Sequence, residues 1–288
     1  MEDYMKPKRI VTIQDISCVG KCSLTVALPI ISAMGVETAI IPTAVLSTHT
    51  MFKNFTFCDL TSEIDKITSH WKAEGIEFDG IYTGYLGSFE QLDLMKKLFA
   101  DFGNGKLVLV DPCMADNGML YPGFTKEFAI AMASLCSKAD IITPNITEAC
   151  FMLGEECPNP IDNYDENYIF GLLERLSALG AKKIILKGIA YKKNLCGVIG
   201  YDCQTKQRLE YFHELLPIKF HGTGDIFASV AFGALVIGKS LETAIQLAAD
   251  FTVDSIKRTI AYTNHNNYGV DFESAIPSLI LATSESSD

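Results

Sequence analysis

No apolar run among the 288 residues reaches the roughly 18 needed to span a bilayer, and the opening MEDYMKPKRIVTIQ holds no apolar export segment. A membrane-bound or exported protein is therefore not expected, and a cytoplasmic one is. Basic charge is also short: 24 Lys and Arg stand against 35 Asp and Glu, a formal charge of −11, which argues against a nucleic-acid partner. Low-complexity tracts are missing, so flexible ends are expected only at 1–8 and 283–288. The nine cysteines are odd in number and irregularly spaced, which excludes a disulfide framework, and no paired set has zinc spacing. Most are expected to be reduced, small buried hydrophobes. No Gly-x-Gly-x-x-Gly follows a strand, which disfavours a dinucleotide fold. The segment VGKCS at 19–23 imitates only the end of a Walker loop, with Cys22 where Ser or Thr would hold magnesium. Lys21 is therefore expected to be a solvated loop lysine.

Present instead is an ordinary globular composition, 48% apolar and 20% charged. The β-branched runs RIVTIQ, TAIIPT, DGIYTG, KLVLVD, DIITPN and KKIILK read as strands, and most end in Asp, Gly, Pro or Thr. Between several of them lie LTVALPIISAMG, FEQLDLMKKLFADFG and NYIFGLLERLSALG, each closing on a glycine as a helix C-cap would. Strands separated by such helices predict right-handed crossovers and a largely parallel sheet. CGVIGYD and QRLEYFHEL then predict an antiparallel ribbon at one edge, and two helices finish the chain, one opening at GTGD and one at SLET. No repeat or linker divides the chain, so a single α/β domain over 1–288 is expected.

In an open parallel sheet, ligands bind outside the carboxyl ends of the strands. Gln14-Asp15, Gly84-Tyr85, Asp111-Pro112, and Asn145 with Glu148 all fall at such ends. In HGTGD at 221–225, two glycines let successive N–H groups point at an anion, while the following helix adds its positive N-terminal dipole. An acid inside such a cradle repels phosphate unless it has another task, such as accepting a proton from an attacking hydroxyl. A bland alternative makes Asp225 a first-turn acid behind a Thr223 N-cap. The same balance holds elsewhere. Asp111, followed by Asp116, could organise magnesium or merely break a strand before Pro112. Asn145 and Glu148 could contact phosphate or form an N-cap and its N3 acid. DNGMLYPG, from Asp116, has the composition of a flap. His49 lies near the same rim, although a lone His is more often structural.

The motifs HGTGD at 221–225, TGYLGS at 83–88, VDPCM at 110–114, ITPNITEA at 142–149 and LSTHT at 46–50, in this order, resemble the pyridoxal kinase branch of the ribokinase-like superfamily. The resemblance spans nearly the whole chain. It implies a three-layer α/β/α sandwich and an ATP-dependent kinase with magnesium, and in some members a monovalent cation such as potassium. By position, Asp225 would be the base that deprotonates the substrate hydroxymethyl group. Gly222, Thr223 and Gly224 would form the anion hole, with Thr223 near the phosphates. Asp111, Asp116 and Glu148 would organise the metal directly or through water, and Asn145 and Lys187 would approach the nucleotide. Asp15, Ser17, His49, Thr50 and Tyr85 would border the pyridine ring. Homodimers with a flap over the site are usual in this branch.

The first turn, QDISCVGKCSL, departs from the Ser-His or glycine-rich stretch of many relatives. Cys113 stands where DPVM is commoner, and Asp116 where some relatives that also accept hydroxymethylpyrimidine carry a flap cysteine, so a thiol adduct is not expected. No Gly-Gly pair occurs, unlike in sugar kinases of the superfamily. The expected substrates are pyridoxal, pyridoxine or pyridoxamine. The alternatives are a hydroxymethylpyrimidine kinase of thiamine synthesis and a non-catalytic pyridoxal-binding protein.

Overall fold

In the strands, alternate residues face opposite layers, and this alternation organises the molecule. The computed structural model describes residues 6–265 and 268–284. Its main sheet holds β1 (Arg9–Ser17), β2 (Glu37–Leu46), β3 (Phe57–Asp59), β4 (Gly80–Thr83) and β5 (Leu107–Val110). A small hairpin follows, β6 (Ala115–Asp116) with β7 (Met119–Leu120). The sheet is completed by β8 (Ile141–Ile142), β9 (Lys183–Ile189), β10 (Leu195–Asp202) and β11 (Arg208–Glu214). The nine strands lie in the order β11-β10-β9-β8-β5-β4-β1-β2-β3. Pairing is parallel from β2 through to β9, while β10 and β11 form the expected antiparallel ribbon. The short β3 adds an antiparallel strand at the opposite edge.

Nine α-helices surround this sheet among the described residues: α1 (Leu24–Ala33), α2 (Thr61–Ala73), α3 (Phe89–Phe102), α4 (Lys126–Cys136), α5 (Ile146–Leu153), α6 (Glu166–Ser177), α7 (Thr223–Val236), α8 (Leu241–Ile260) and α9 (Ile276–Ser284). Val11, Ile13, Val108, Val110, Ile184 and Leu186 pack toward α2 to α6 through Ile64, Leu92, Phe128, Cys150 and Leu172. Their neighbours Ile10, Leu109 and Ile185 pack the other way, against Val26 of α1, Phe232 of α7, Ile245 of α8 and Leu279 of α9. Burial on both faces explains why these strands read as continuous apolar runs. The outcome is the anticipated three-layer sandwich.

The sequence reading missed several elements. Helix α2 buries only a thin stripe, Ile64 with Thr61 and Thr68, so its apolar period is weak, and its start is fixed by Asp59, whose Oδ1 accepts from the Thr61 N–H at 2.6 Å. The expectation that two helices close the chain is corrected by the short turn 273–275 and α9 beyond α8. Of the ends expected to be flexible, 1–5 and 285–288 lie outside the described residues. Lys8 pairs with Asp79 at 3.1 Å, and Thr283 and Ser284 close α9.

The chain leaves β1 for β2 on one side and later returns to β4 on the other, so strand order reverses at β1. Such a reversal opens a crevice at the carboxyl ends of the adjacent strands. A bulge in the β1–β2 register, between Gln14 and Ile16, falls on Asp15 at that end of β1. Bulges re-aim side chains beside functional sites.

Candidate active site

Helix α7 opens at this crevice. Its N-cap is Gly222, at φ 79, and no side chain caps it. A Cβ at Gly222 would stand 1.8 Å from the Lys21 carbonyl oxygen, so only glycine fits the turn. The hydroxyl of Thr223 donates to the Phe220 carbonyl at 3.3 Å. The reading of Thr223 as N-cap is therefore corrected, and the N–H groups of the first turn have no side-chain cap.

Asp225 does not cap its own helix either. Its Oδ2 accepts a hydrogen bond from the backbone N–H of Ser23 at 3.0 Å, in the loop after β1. Burial pushes its carboxyl up to about 7; the Ser23 N–H opposes this, the charges of Asp111 and Asp15 add to it, and Lys187 opposes it again. A carboxylate held near neutrality is suited to accept a proton at physiological pH.

Lys187, on β9, pairs with both carboxylate oxygens of Asp111, at 2.8 and 3.1 Å. The Lys187 side chain is 15% exposed and that of Asp111 2%. Burial works against the ammonium, yet the charges of Asp111 and Glu148 outweigh it and hold Lys187 above its usual range. A Cβ at Gly224 would lie 3.6 Å from the Lys187 Nζ, which places the cation beside the first turn of α7.

Asn145 and Glu148 form a complete capping box on α5: each side chain accepts from the other residue's backbone N–H, at 2.8 Å in both directions. Glu148 also accepts from the Met114 N–H at 3.3 Å, and Asn145 donates to the Ala115 carbonyl at 2.8 Å. The capping reading of this pair is thus correct as structure. The same acid is nonetheless part of the polar rim, because burial raises its carboxyl while Lys187 lowers it and Asp111 raises it again.

Asp116 behaves differently. It is exposed on the hairpin and accepts from the backbone and side-chain amides of Asn117, both at 2.8 Å. Among the described residues, no three His, Cys, Asp or Glu side chains are arranged to hold a metal ion. Asp111, Asp116 and Glu148 do not meet as one ligand cage, because Asp111 is engaged by Lys187 and Glu148 by two backbone N–H groups.

Toward β1, the buried Asp15 accepts from the Ser17 hydroxyl at 3.1 Å, and burial raises its carboxyl. The half-buried Tyr85 stands beside it; burial, then the charges of Asp15 and Cys113, push its phenol up to about 12. Its ring lies 5.6 Å from Phe124. His49 is buried and accepts from the Met51 N–H at Nδ1, 3.3 Å, so its Nε2–H donates to the Tyr268 carbonyl at 3.1 Å. Burial lowers its basicity. Thr50 is exposed.

One participant gave no local signal. Ser23 was not singled out, although its N–H holds Asp225. Cys113 faces Asp225, Asp111 and Glu148, and burial followed by these charges drives its thiol far above its usual range. Lys21 is not the solvated lysine expected: it pairs with Glu273 at 2.6 Å and lies over the Phe272 ring at 5.6 Å. The cysteines also differ from expectation. Cys136 and Cys150 are fully buried, Cys113 and four others are partly buried, and Cys18 and Cys58 are exposed.

A sequence model of the phosphomethylpyrimidine kinase family matches residues 28–270. The chain belongs to this kinase family. A Bacteroides thetaiotaomicron protein provisionally named a phosphomethylpyrimidine kinase is 36% identical, with a TM-score of 0.90, covering 97% of this chain and 96% of its own. The same protein was also crystallised with pyridoxal, and that form superimposes with a TM-score of 0.89. Pyridoxal kinase from Lactobacillus plantarum is 27% identical over 95% of this chain and 97% of its own, with a TM-score of 0.85. Pyridoxine kinase of Bacillus subtilis is 28% identical over 191 residues, 65% of this chain and 66% of the relative's length. The resemblance to pyridoxal kinases and the ribokinase-like fold both hold for this family member.

Proposed function

We propose that this kinase transfers the γ-phosphoryl group of ATP to the 5′-hydroxymethyl group of pyridoxal, pyridoxine or pyridoxamine in cofactor salvage. The observation that carries the reading is the Asp225 carboxyl, buried at the uncapped start of α7 and held near neutrality. Phosphoryl transfer asks little covalent work of a protein; it needs alignment of the hydroxyl and stabilisation of spread negative charge. Asp225 takes the hydroxyl proton as the oxygen attacks. The N–H groups of Gly222, Thr223 and Gly224 receive the charge on the transferring group, with Lys187 beside Gly224. Asp15, Ser17 and Tyr85 border the ring at the bulged end of β1, and His49 with Thr50 lines the outer wall. Asn145 and Glu148 hold the start of α5 against the nucleotide side.

Among the described residues the acids form no three-ligand cluster, so Asp111, Asp116 and Glu148 would act on a magnesium ion through water. A magnesium ion entering with the triphosphate would be held mainly by phosphate and water. A homodimer and a cytoplasmic setting are further parts of this reading, and a monovalent cation such as potassium is a cofactor to test beside magnesium.

A second ring, hydroxymethylpyrimidine, is favoured by the family's description. Steady-state assays with both ring types and ATP separate the two. The expected result is a higher kcat/KM for a pyridoxal vitamer, and preference for the pyrimidine overturns it. Pyridoxal binding without ADP release from any vitamer would make the protein a non-catalytic binder.

A further inference from the structure

The β6–β7 hairpin is held between α5 and the segment that leads into α7. Its tip, Asn117 at φ 51 and Gly118 at φ 77, makes a tight turn, and the Gly118 N–H donates to the Thr147 hydroxyl of α5 at 3.0 Å. Tyr121, just after β7, is 37% exposed; partial burial, then the charges of Cys113, Glu148, Asp116 and Asp225, raise its phenol. The other side of the tip is tied by Lys219, whose Nζ donates to the Asn117 Oδ1 at 2.9 Å across 102 residues of sequence.

Lys219 lies three residues before Gly222, so its ammonium bridges from the segment that leads into the anion cradle to the hairpin above it. It is exposed, and among the described residues no carboxylate pairs with it. Two other lysines near the cradle are already engaged: Lys187 by Asp111 and Lys21 by Glu273. A lysine held only by a neutral amide, at the mouth of an anion cradle in an acidic protein, gains by exchanging that amide for phosphate. Charge-assisted hydrogen bonds are roughly twice as strong as neutral ones.

Resting on the kinase reading above, we propose that Lys219 is a nucleotide-phosphate ligand that, without nucleotide, latches the hairpin through Asn117. The hairpin tip and the polyphosphate then compete for one cation. Nucleotide entry frees the tip to rearrange over the bound phosphates, and product release restores the latch.

Direct ATP-binding titrations, run without a vitamer, test this on wild type, Lys219→Met, Lys219→Arg and Asn117→Ala. Lys219→Met is expected to weaken ATP binding about ten-fold or more, the loss of one charge-assisted contact, and to leave pyridoxal affinity unchanged. Lys219→Arg should recover most of the loss. Asn117→Ala removes the latch but keeps the cation, so ATP binds as well or more tightly. ATP affinity unchanged in Lys219→Met overturns the proposal. So does an equal loss in Asn117→Ala, which would show that Lys219 acts only by holding the hairpin. A wild-type protein that binds no ATP would instead overturn the kinase reading, and this inference with it.

Discussion

The Asp225 carboxylate accepts the Ser23 backbone N–H at 3.0 Å, joining the start of α7 to the loop after β1 across 202 residues. One backbone donor is too little to offset burial, so the carboxyl is held near 7 rather than in its ordinary range. The contact fixes the direction of the carboxylate, while burial keeps it basic. Orientation and basicity thus come from different parts of the chain.

Activity should follow the protonation of this group. Because a base works only when deprotonated, kcat/KM is expected to rise from pH 6 to 8 and level off above the value of about 7. Asp225→Asn and Asp225→Ala should lower kcat roughly 10²-fold or more and remove this rise, while ATP binding persists. A pH–rate profile of the three proteins checks this. Near-normal turnover in a folded variant would return Asp225 to a structural role.

The same carboxyl should cost stability. Its folded value, about 7, lies above the ordinary unfolded value of about 4. The folded protein therefore keeps the proton to higher pH than the unfolded chain does, and this group's contribution falls as pH rises from about 4 to about 7. Asp225→Asn is expected to be more stable than wild type at pH 8, by on the order of 1–4 kcal/mol, and to match it near pH 4. Urea unfolding at the two pH values measures the difference. Equal stability at pH 8 would mean that the buried carboxylate carries no such penalty.

How far the sequence disclosed this site depended on the separation of the partners. Asn145 and Glu148 were legible as a capping box because their spacing is three residues and the geometry of a helix start is local. The glycine turn at 222–224 and its acid were legible for the same reason. The Ser23–Asp225 contact was not, and neither was the Lys187–Asp111 pair, 76 residues apart; only the resemblance put the latter two on one rim. Thr223 misled because a threonine before a helical run usually caps it. Here Gly222 takes the N-cap position and the hydroxyl turns back to Phe220. Strands at the sheet centre were plain from their apolar runs, whereas β3 and α2 were lost because each buries little.

Lys187 should matter to the fold as much as to the anion. It is the cation paired with the buried Asp111, and it also acts on Glu148. Lys187→Met leaves this acid cluster without its compensating charge and is expected to destabilise the protein by about 3–5 kcal/mol. Adding Asp111→Asn should recover part of the loss. Chemical unfolding of the single and double variants gives both numbers, and additive losses would show that the pair is not coupled.

Gly222 and Gly238 separate two kinds of glycine requirement. Both have positive φ, 79 and 93, but a Cβ at Gly222 would meet the Lys21 carbonyl at 1.8 Å, whereas at Gly238 nothing lies within 4 Å. Gly238→Ala therefore incurs only the strain of a left-handed backbone, about 1–3 kcal/mol, and should keep its kcat because it lies beyond the far end of α7. Gly222→Ala must also move the Lys21 backbone, which shifts Ser23 and with it the donor that holds Asp225. Its kcat is expected to fall at least ten-fold, in line with the loss of one oriented anion-hole contact, and its melting temperature should drop further than that of Gly238→Ala. Thermal unfolding and steady-state assays on the two alanine variants test this together. Equal melting losses with kcat retained in both would show that the close approach to Lys21 does not shape the cradle.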